Sequence, residues 1–97
     1  MIVRLVLYHT RPDSKPLAWV EEHGDEIRGF PGIRRVDFVQ SKEDTSRWGA
    51  VMHVGSMAEL EVYKESTLFK RILESLTEEV VDSSKPVYEH LFELVDV

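Results

Sequence analysis

The chain of 97 residues contains no cysteine. That excludes a disulfide framework, thiolate catalysis, and zinc or iron–sulfur centres held by cysteine. Basic residues are outnumbered: 12 Lys and Arg against 18 Asp and Glu leave a formal net charge of −6. Nucleic-acid binding needs a basic stripe that displaces counterions from phosphates. Arg34-Arg35 and Lys70-Arg71 are isolated pairs among acidic residues, so no nucleic-acid partner is expected. No apolar run approaches the ~18 residues of a membrane span. The segment Met1-Ile2-Val3-Arg4-Leu5 does not join a basic stretch to a long apolar one. A cytoplasmic protein with no membrane contact is expected. The histidines at 9, 23, 53 and 90 fall in four different elements and form no His-x-x-x-His pair. No metal site is expected from that scatter. Phosphate-cradling glycine loops and a nucleophile elbow are absent too.

What remains is an ordinary globular composition, 42% hydrophobic and 31% charged. A chain this short has no room for two cores, so residues 1–97 are expected to form one domain. Its most informative stretch runs from Trp48 to Tyr63. Trp48-Gly49-Ala50-Val51-Met52-His53-Val54-Gly55 reads as a strand. Ser56-Met57-Ala58-Glu59 follows as a capping box, in which each side chain satisfies an orphan backbone N–H of a new helix.

The rest of the chain falls into place around that junction. Ile2 to His9 is a β-rich run in which Val3, Leu5 and Leu7 alternate with Arg4, Val6 and Tyr8. The purely aliphatic set is expected to face helices. Asp13 or Ser14 can cap a first helix, with Pro16 in its first turn. Leu17, Val20, Gly24 and Ile27 recur at helical spacing, with Trp19, His23 and Glu26 on a neighbouring flank. Gly29 and Pro31-Gly32 end that helix. Ile33 to Gln40 alternates as a second strand, and Ser41 to Ser46 is a polar loop. Ser66-Thr67 gives a second start signal before Leu68, Phe69, Ile72, Leu73, Leu76 and Val80, so the second helical region is broken near Glu65-Ser66. Val87 to Val95 is the last strand; whether its inside is Tyr88, His90, Phe92 and Leu94 or Val87, Leu91 and Val95 stays open.

The order β-α-β-β-α-β implies an α+β, ferredoxin-like fold, a four-stranded antiparallel sheet with helices on one face. The other face would carry Arg4, Val6 and Tyr8 beside Gly49, Val51 and His53, too apolar to stand in water. A homodimer packed sheet face to sheet face would cover it.

With Gly32-Ile33, Arg47-Trp48-Gly49-Ala50-Val51-Met52 and Ser56 to Tyr63, the chain resembles the dimeric α+β barrel superfamily, which includes antibiotic-biosynthesis-type monooxygenases and stress-responsive A/B-barrel proteins. The resemblance implies a ligand cavity between sheet and helices and dimerisation through the sheets. Tyr63 matches a tyrosine that several members use to hydrogen-bond a ligand. Many members have a histidine six residues later; this chain has Phe69 there, with Lys70 beside it. The resemblance therefore implies a small monooxygenase-like enzyme, without a tightly bound cofactor, acting on a hydrophobic or aromatic small molecule. Its alternative is a non-catalytic ligand-binding or stress-associated dimer.

Tyr63 and His23 are the catalytic candidates. Tyr63 could orient a ligand, or be a core aromatic with its hydroxyl at the surface. His23, four residues from Trp19, could accept a proton at the cavity mouth, or be a solvated surface histidine. Trp19, Trp48 and Phe69 are the candidate substrate-binding residues. Trp48 shares its strand face with Ala50, Met52 and Val54, which makes it cavity wall or plain core. His53 points away from them and could pair with Glu89 of a partner sheet.

Overall fold

The computed structural model describes residues 1–96; the expected domain range ends at Val97, outside them. The element order is β1 (Ile2–His9), α1 (Pro16–Arg28), β2 (Ile33–Gln40), β3 (Arg47–Val54), α2 (Met57–Glu65), α3 (Thr67–Glu79) and β4 (Tyr88–Glu93). The strands form one antiparallel sheet in the order β2-β3-β1-β4. Between sheet and helices lies a core that joins Ile2, Tyr8, Val36, Met52 and Val54 to Trp19, Ile27, Leu60, Tyr63 and Ile72. Val54 and Leu60 are almost wholly enclosed, and each such burial contributes about 1.5–3 kcal/mol.

The β3–α2 junction forms as the residues dictate. Ser56 is the N-cap of α2, and its hydroxyl oxygen accepts from the Glu59 backbone N–H at 3.2 Å. The Glu59 carboxylate accepts a hydrogen bond from the Ser56 hydroxyl (3.1 Å) rather than from a backbone N–H, so one arm of the expected box is redirected. Gly32 has φ of +93°, the left-handed region that glycine enters without strain, and a Cβ there would press on Glu59. The helical region breaks where expected: Ser66 ends α2 and caps α3, its hydroxyl oxygen accepting from Phe69 N–H at 3.1 Å. At α1 the expectation fails. Lys15 is the N-cap with no side-chain bond, because the Ser14 hydroxyl turns back to the Arg11 carbonyl at 2.6 Å. The α3 end, with no basic residue in its last turn, is capped from a distance. Arg11 donates to the carbonyls of Thr77 (3.4 Å), Glu78 (2.6 Å) and Val81 (2.9 Å).

The faces of β1 are the reverse of the expectation. Tyr8 pairs with Trp48, Val6 with Ala50, Arg4 with Met52 and Ile2 with Val54, so this set faces the helices. Val3, Leu5 and Leu7 face the other way, opposite Phe92, His90 and Tyr88 of β4. Both sets are apolar enough to be covered, so aliphatic purity does not decide between them; the register against β3 does. In β2 the register shifts between Ile33 and Arg35. That bulge puts Ile33 and Val36 on the same buried side, where strict alternation separates them. β4 is shorter than expected, Tyr88 to Glu93, and all six residues are exposed. Tyr88, His90 and Phe92 pair with Leu7, Leu5 and Val3 and so line the open face, with successive ring centroids 6.5 and 6.3 Å apart.

Candidate functional site

A cavity of about 80 Å³ lies between the sheet and the helices. Its floor is the helix-facing row of β1 to β3, including Val6, Val36, Phe38, Ala50 and Met52. Its roof is Trp19 and Ile27 of α1, Tyr63 of α2, and Phe69 and Ile72 of α3. The volume is about half of the ~150 Å³ apolar cavity that admits a benzene ring. A compact molecule fits it as it stands; an aromatic substrate needs side chains to move.

The polar groups in this lining are few. Arg4, Tyr8 and Tyr63 are its ionisable members. The Tyr8 phenol is pushed up to about 12 by burial alone. Burial also raises Tyr63, against a downward pull from the Arg4 charge. No hydrogen bond contributes to either shift. Both hydroxyls are therefore protonated donors at neutral pH, and neither is a base there. Tyr63 is fixed by edge-on contacts with Phe30 and Phe69, ring centroids 5.2 Å away in each case. Phe69 also lies under the Arg4 guanidinium, 5.7 Å from the ring centroid.

Among the residues singled out from sequence, the fold gathers Tyr63, Trp19 and Phe69 into this lining. It does not bring His23 or Trp48 there. His23 lies on the α1–α3 seam, its ring tilted against Trp19 with centroids 4.7 Å apart. Its Nε2 is 3.4 Å from the Ser75 hydroxyl, and its Nδ1 is 3.7 Å from Glu26. Ser75 is already engaged, accepting from the Trp19 indole N–H at 3.0 Å and donating to Glu79. The spacing of Trp19 and His23 does make them neighbours, but on the outer side of the Trp. Trp48 packs against the core from the end of the sheet and borders a surface cleft with Thr10, Pro12 and Gln40. Glu89 lies on the helix-facing side of β4, bonded to Arg4 and Lys64 of its own chain, so it is on the opposite face from His53.

Sequence reasoning missed Arg4 and Tyr8 as cavity residues. No local signal could have found them: Ile2, Arg4, Val6 and Tyr8 form one strand row, and only its pairing with β3 shows that this row is the covered one. Among the described residues no cluster of His, Asp or Glu could hold a metal ion. No helix among them is long and apolar enough to cross a membrane.

No family model matches the chain, and no curated protein matches it. Solved structures do. One named as an antibiotic biosynthesis monooxygenase superimposes with a TM-score of 0.81 at 13% identity, covering 99% of this chain and 100% of its own. A candidate antibiotic biosynthesis monooxygenase from Deinococcus radiodurans gives 0.83 at 8% identity, covering 100% and 95%. Another, from Nitrosomonas europaea, gives 0.75 at 21%, covering 99% and 100%. At these identities the likeness is one of fold: the chain has the ferredoxin-like α+β architecture of the antibiotic-biosynthesis-monooxygenase-like group.

Proposed function

We propose that this chain is a small-molecule-binding barrel protein that works as a homodimer in the cytoplasm. Its cavity takes a compact, mostly apolar ligand, and Arg4, Tyr8 and Tyr63 are the donor side chains its lining offers to a polar group. One observation carries this reading: among the described residues the cavity lining holds the donors Arg4, Tyr8 and Tyr63 and no histidine or carboxylate. Donors without a base suit binding and orientation better than proton abstraction. Trp19 and Phe69 shape the apolar wall. His23, outside that wall, acts on the ligand only through the packing of Trp19.

A second reading is favoured by the fold and by Arg4. In monooxygenase-like chemistry without a cofactor, a substrate that ionises readily could react with oxygen as its anion. Arg4 would stabilise that anion, Tyr63 would orient it, and no enzyme base would be required. Oxygen uptake dependent on an ionisable substrate, and lost in Arg4→Met, is the measurement that supports this reading.

The open sheet face supports the dimer. Val3, Leu5, Leu7, Val51 and Phe92 share it with His53 and His90, a mostly apolar centre that a second sheet would cover, with Arg35 and Asp37 at its β2 margin.

The binding reading is tested by titrating the ¹⁵N-labelled protein with isobutyramide, a neutral ligand of the right size, and following shifts in the NMR spectrum. Saturable shifts at Tyr63, Ile72 and the Trp19 indole are expected. Absence of saturable shifts at these residues refutes it.

A further inference from the structure

Arg4 is the one charged side chain in the cavity wall, and its side chain is only 13% exposed. Its Nε–H donates to Glu89 Oε2 at 2.5 Å. Among the described residues no other N–H of this guanidinium has an acceptor, although the group carries several. Lys64, near the end of α2, reaches the same carboxylate, at 2.8 Å from Oε1 and 2.7 Å from Oε2. Two cations from different elements thus converge on one carboxylate at the edge of the cavity, with one positive charge in excess. Burial works against the Glu89 anion, but the bonds from Lys64 and Arg4 together hold its carboxyl below its ordinary value.

Glu89 can leave. It stands on an edge strand that pairs only with β1, and its side chain is about one-third exposed (35%), held by Arg4 and Lys64 and outside the packed core. Rotating its side chain into water disturbs no packed core. The donors left behind are arranged for a carboxylate, because a carboxylate occupies them now.

We propose that Arg4 and Lys64 form the recognition site for a small apolar monocarboxylate. The ligand's carboxylate takes the place that Glu89 holds, and its hydrocarbon part enters the cavity against Phe69 and Ile72. Glu89 is an internal stand-in that competes with the ligand. The cavity holds about three water-sized volumes, so the hydrocarbon part is short, of isopropyl size. This inference rests on the reading that the cavity binds a ligand, and adds the ligand's charge class.

The experiment compares isobutyrate with isobutyramide, which share a skeleton and differ in charge, by NMR titration of the full chain at neutral pH. Isobutyrate should bind at least about tenfold more tightly, as expected for charge-assisted bonds. Glu89→Gln, which keeps the shape and removes the competing charge, should tighten isobutyrate by about tenfold and leave isobutyramide unchanged. Lys64→Met should reduce the preference and Arg4→Met should abolish it; should Arg4→Met not fold, Glu89→Gln and Lys64→Met carry the test. Equal affinity for both compounds overturns the carboxylate assignment and leaves the cavity reading standing. So does a Glu89→Gln variant in which isobutyrate binding is unchanged or weaker. Failure of both compounds to shift the cavity residues overturns both.

Discussion

The two faces of the sheet are built from alternate residues of the same strands, yet they differ in where their polar atoms lie. On the helix-covered face Arg4, Tyr8 and Tyr63 bring donors into an apolar cavity. On the open face Val3, Leu5 and Leu7 lie beside the stacked rings of Tyr88, His90 and Phe92. Hydrocarbon dominates there, and the Arg35–Asp37 ion pair at 2.7 Å sits at its margin on edge strand β2. A cavity with a few converging donors suits a small ligand; a broad apolar face suits another protein surface. The contrast separates binding from assembly within one small sheet.

The largest effect should come from breaking both faces at once. A Cβ at Gly49 would lie 2.3 Å from the Val6 carbonyl oxygen and 2.7 Å from the Leu7 side chain. Backbone cannot yield as a side chain tip can, so Gly49→Val should cost about 3 kcal/mol or unfold the chain. Thermal denaturation followed by circular dichroism reads this directly; a melting point within a few degrees of the parent would be inconsistent with the β1–β3 register.

The open face alone is broken by Leu5→Glu. A carboxylate there is desolvated by the facing sheet, with only the His90 ring as a polar side chain directly opposite on its own sheet, so dimer affinity should fall at least about 100-fold, about 3 kcal/mol. Light scattering should then report a monomer that still binds isobutyramide. A parent chain that is already monomeric at micromolar concentration removes the dimer altogether.

Sharpening the covered face takes a smaller change. Tyr63→Phe deletes a buried hydroxyl whose upward shift comes from burial and to which no hydrogen bond contributes. Stability should therefore stay within about 0.5 kcal/mol, while ligand affinity falls about fivefold, the worth of one hydrogen bond near 1 kcal/mol. Unchanged affinity by NMR titration would clear Tyr63 of a ligand role.

The smallest effect concerns acid. The folded Glu89 carboxyl is held below its ordinary value, so it contributes stability that is present above the unfolded carboxylate pKa of about 4.3. That contribution is lost as pH falls through the lower folded value. Because the pair is partly exposed, it should amount to less than about 1 kcal/mol. Urea denaturation of the parent and Glu89→Gln should converge as pH drops; a gap that widens on acidification would contradict the sign.

Much of the architecture was legible because it is written locally. Ser56 before Glu59, Ser66 before Phe69, and the turn at Pro31-Gly32 each announce a boundary through backbone chemistry that neighbouring residues supply. Which face a strand presents is not local. Ile2 to His9 is apolar on both sides, and only pairing with β3 decides that Arg4 and Tyr8 turn inward. The bulge at Arg34-Arg35 likewise belongs to the β2–β3 register and leaves no mark in a pattern of alternation. Tyr63 and Phe69 could be placed near a cavity through the family resemblance, whereas the helical stripe put Trp19 on a flank and Leu17 inside, and the fold buries Trp19 and leaves Leu17 exposed. Arg4 could not be placed at the cavity, since a lone arginine in a strand reads as solvent-facing until its partner, Glu89, is seen 85 residues away. His23 sits beside Trp19 as its spacing requires, but spacing along a helix does not tell the inner side of an indole from the outer.

Chemical-shift mapping of the isobutyramide complex, on amides, methyls and the indole N–H groups, tests most directly whether the covered face is the ligand site. Saturable shifts are expected at Tyr63, Phe69, Ile72 and the Trp19 indole, with Leu5, Val51 and Phe92 unmoved. Shifts confined to Leu5, Val51 and Phe92, with the helix-covered row silent, would contradict it.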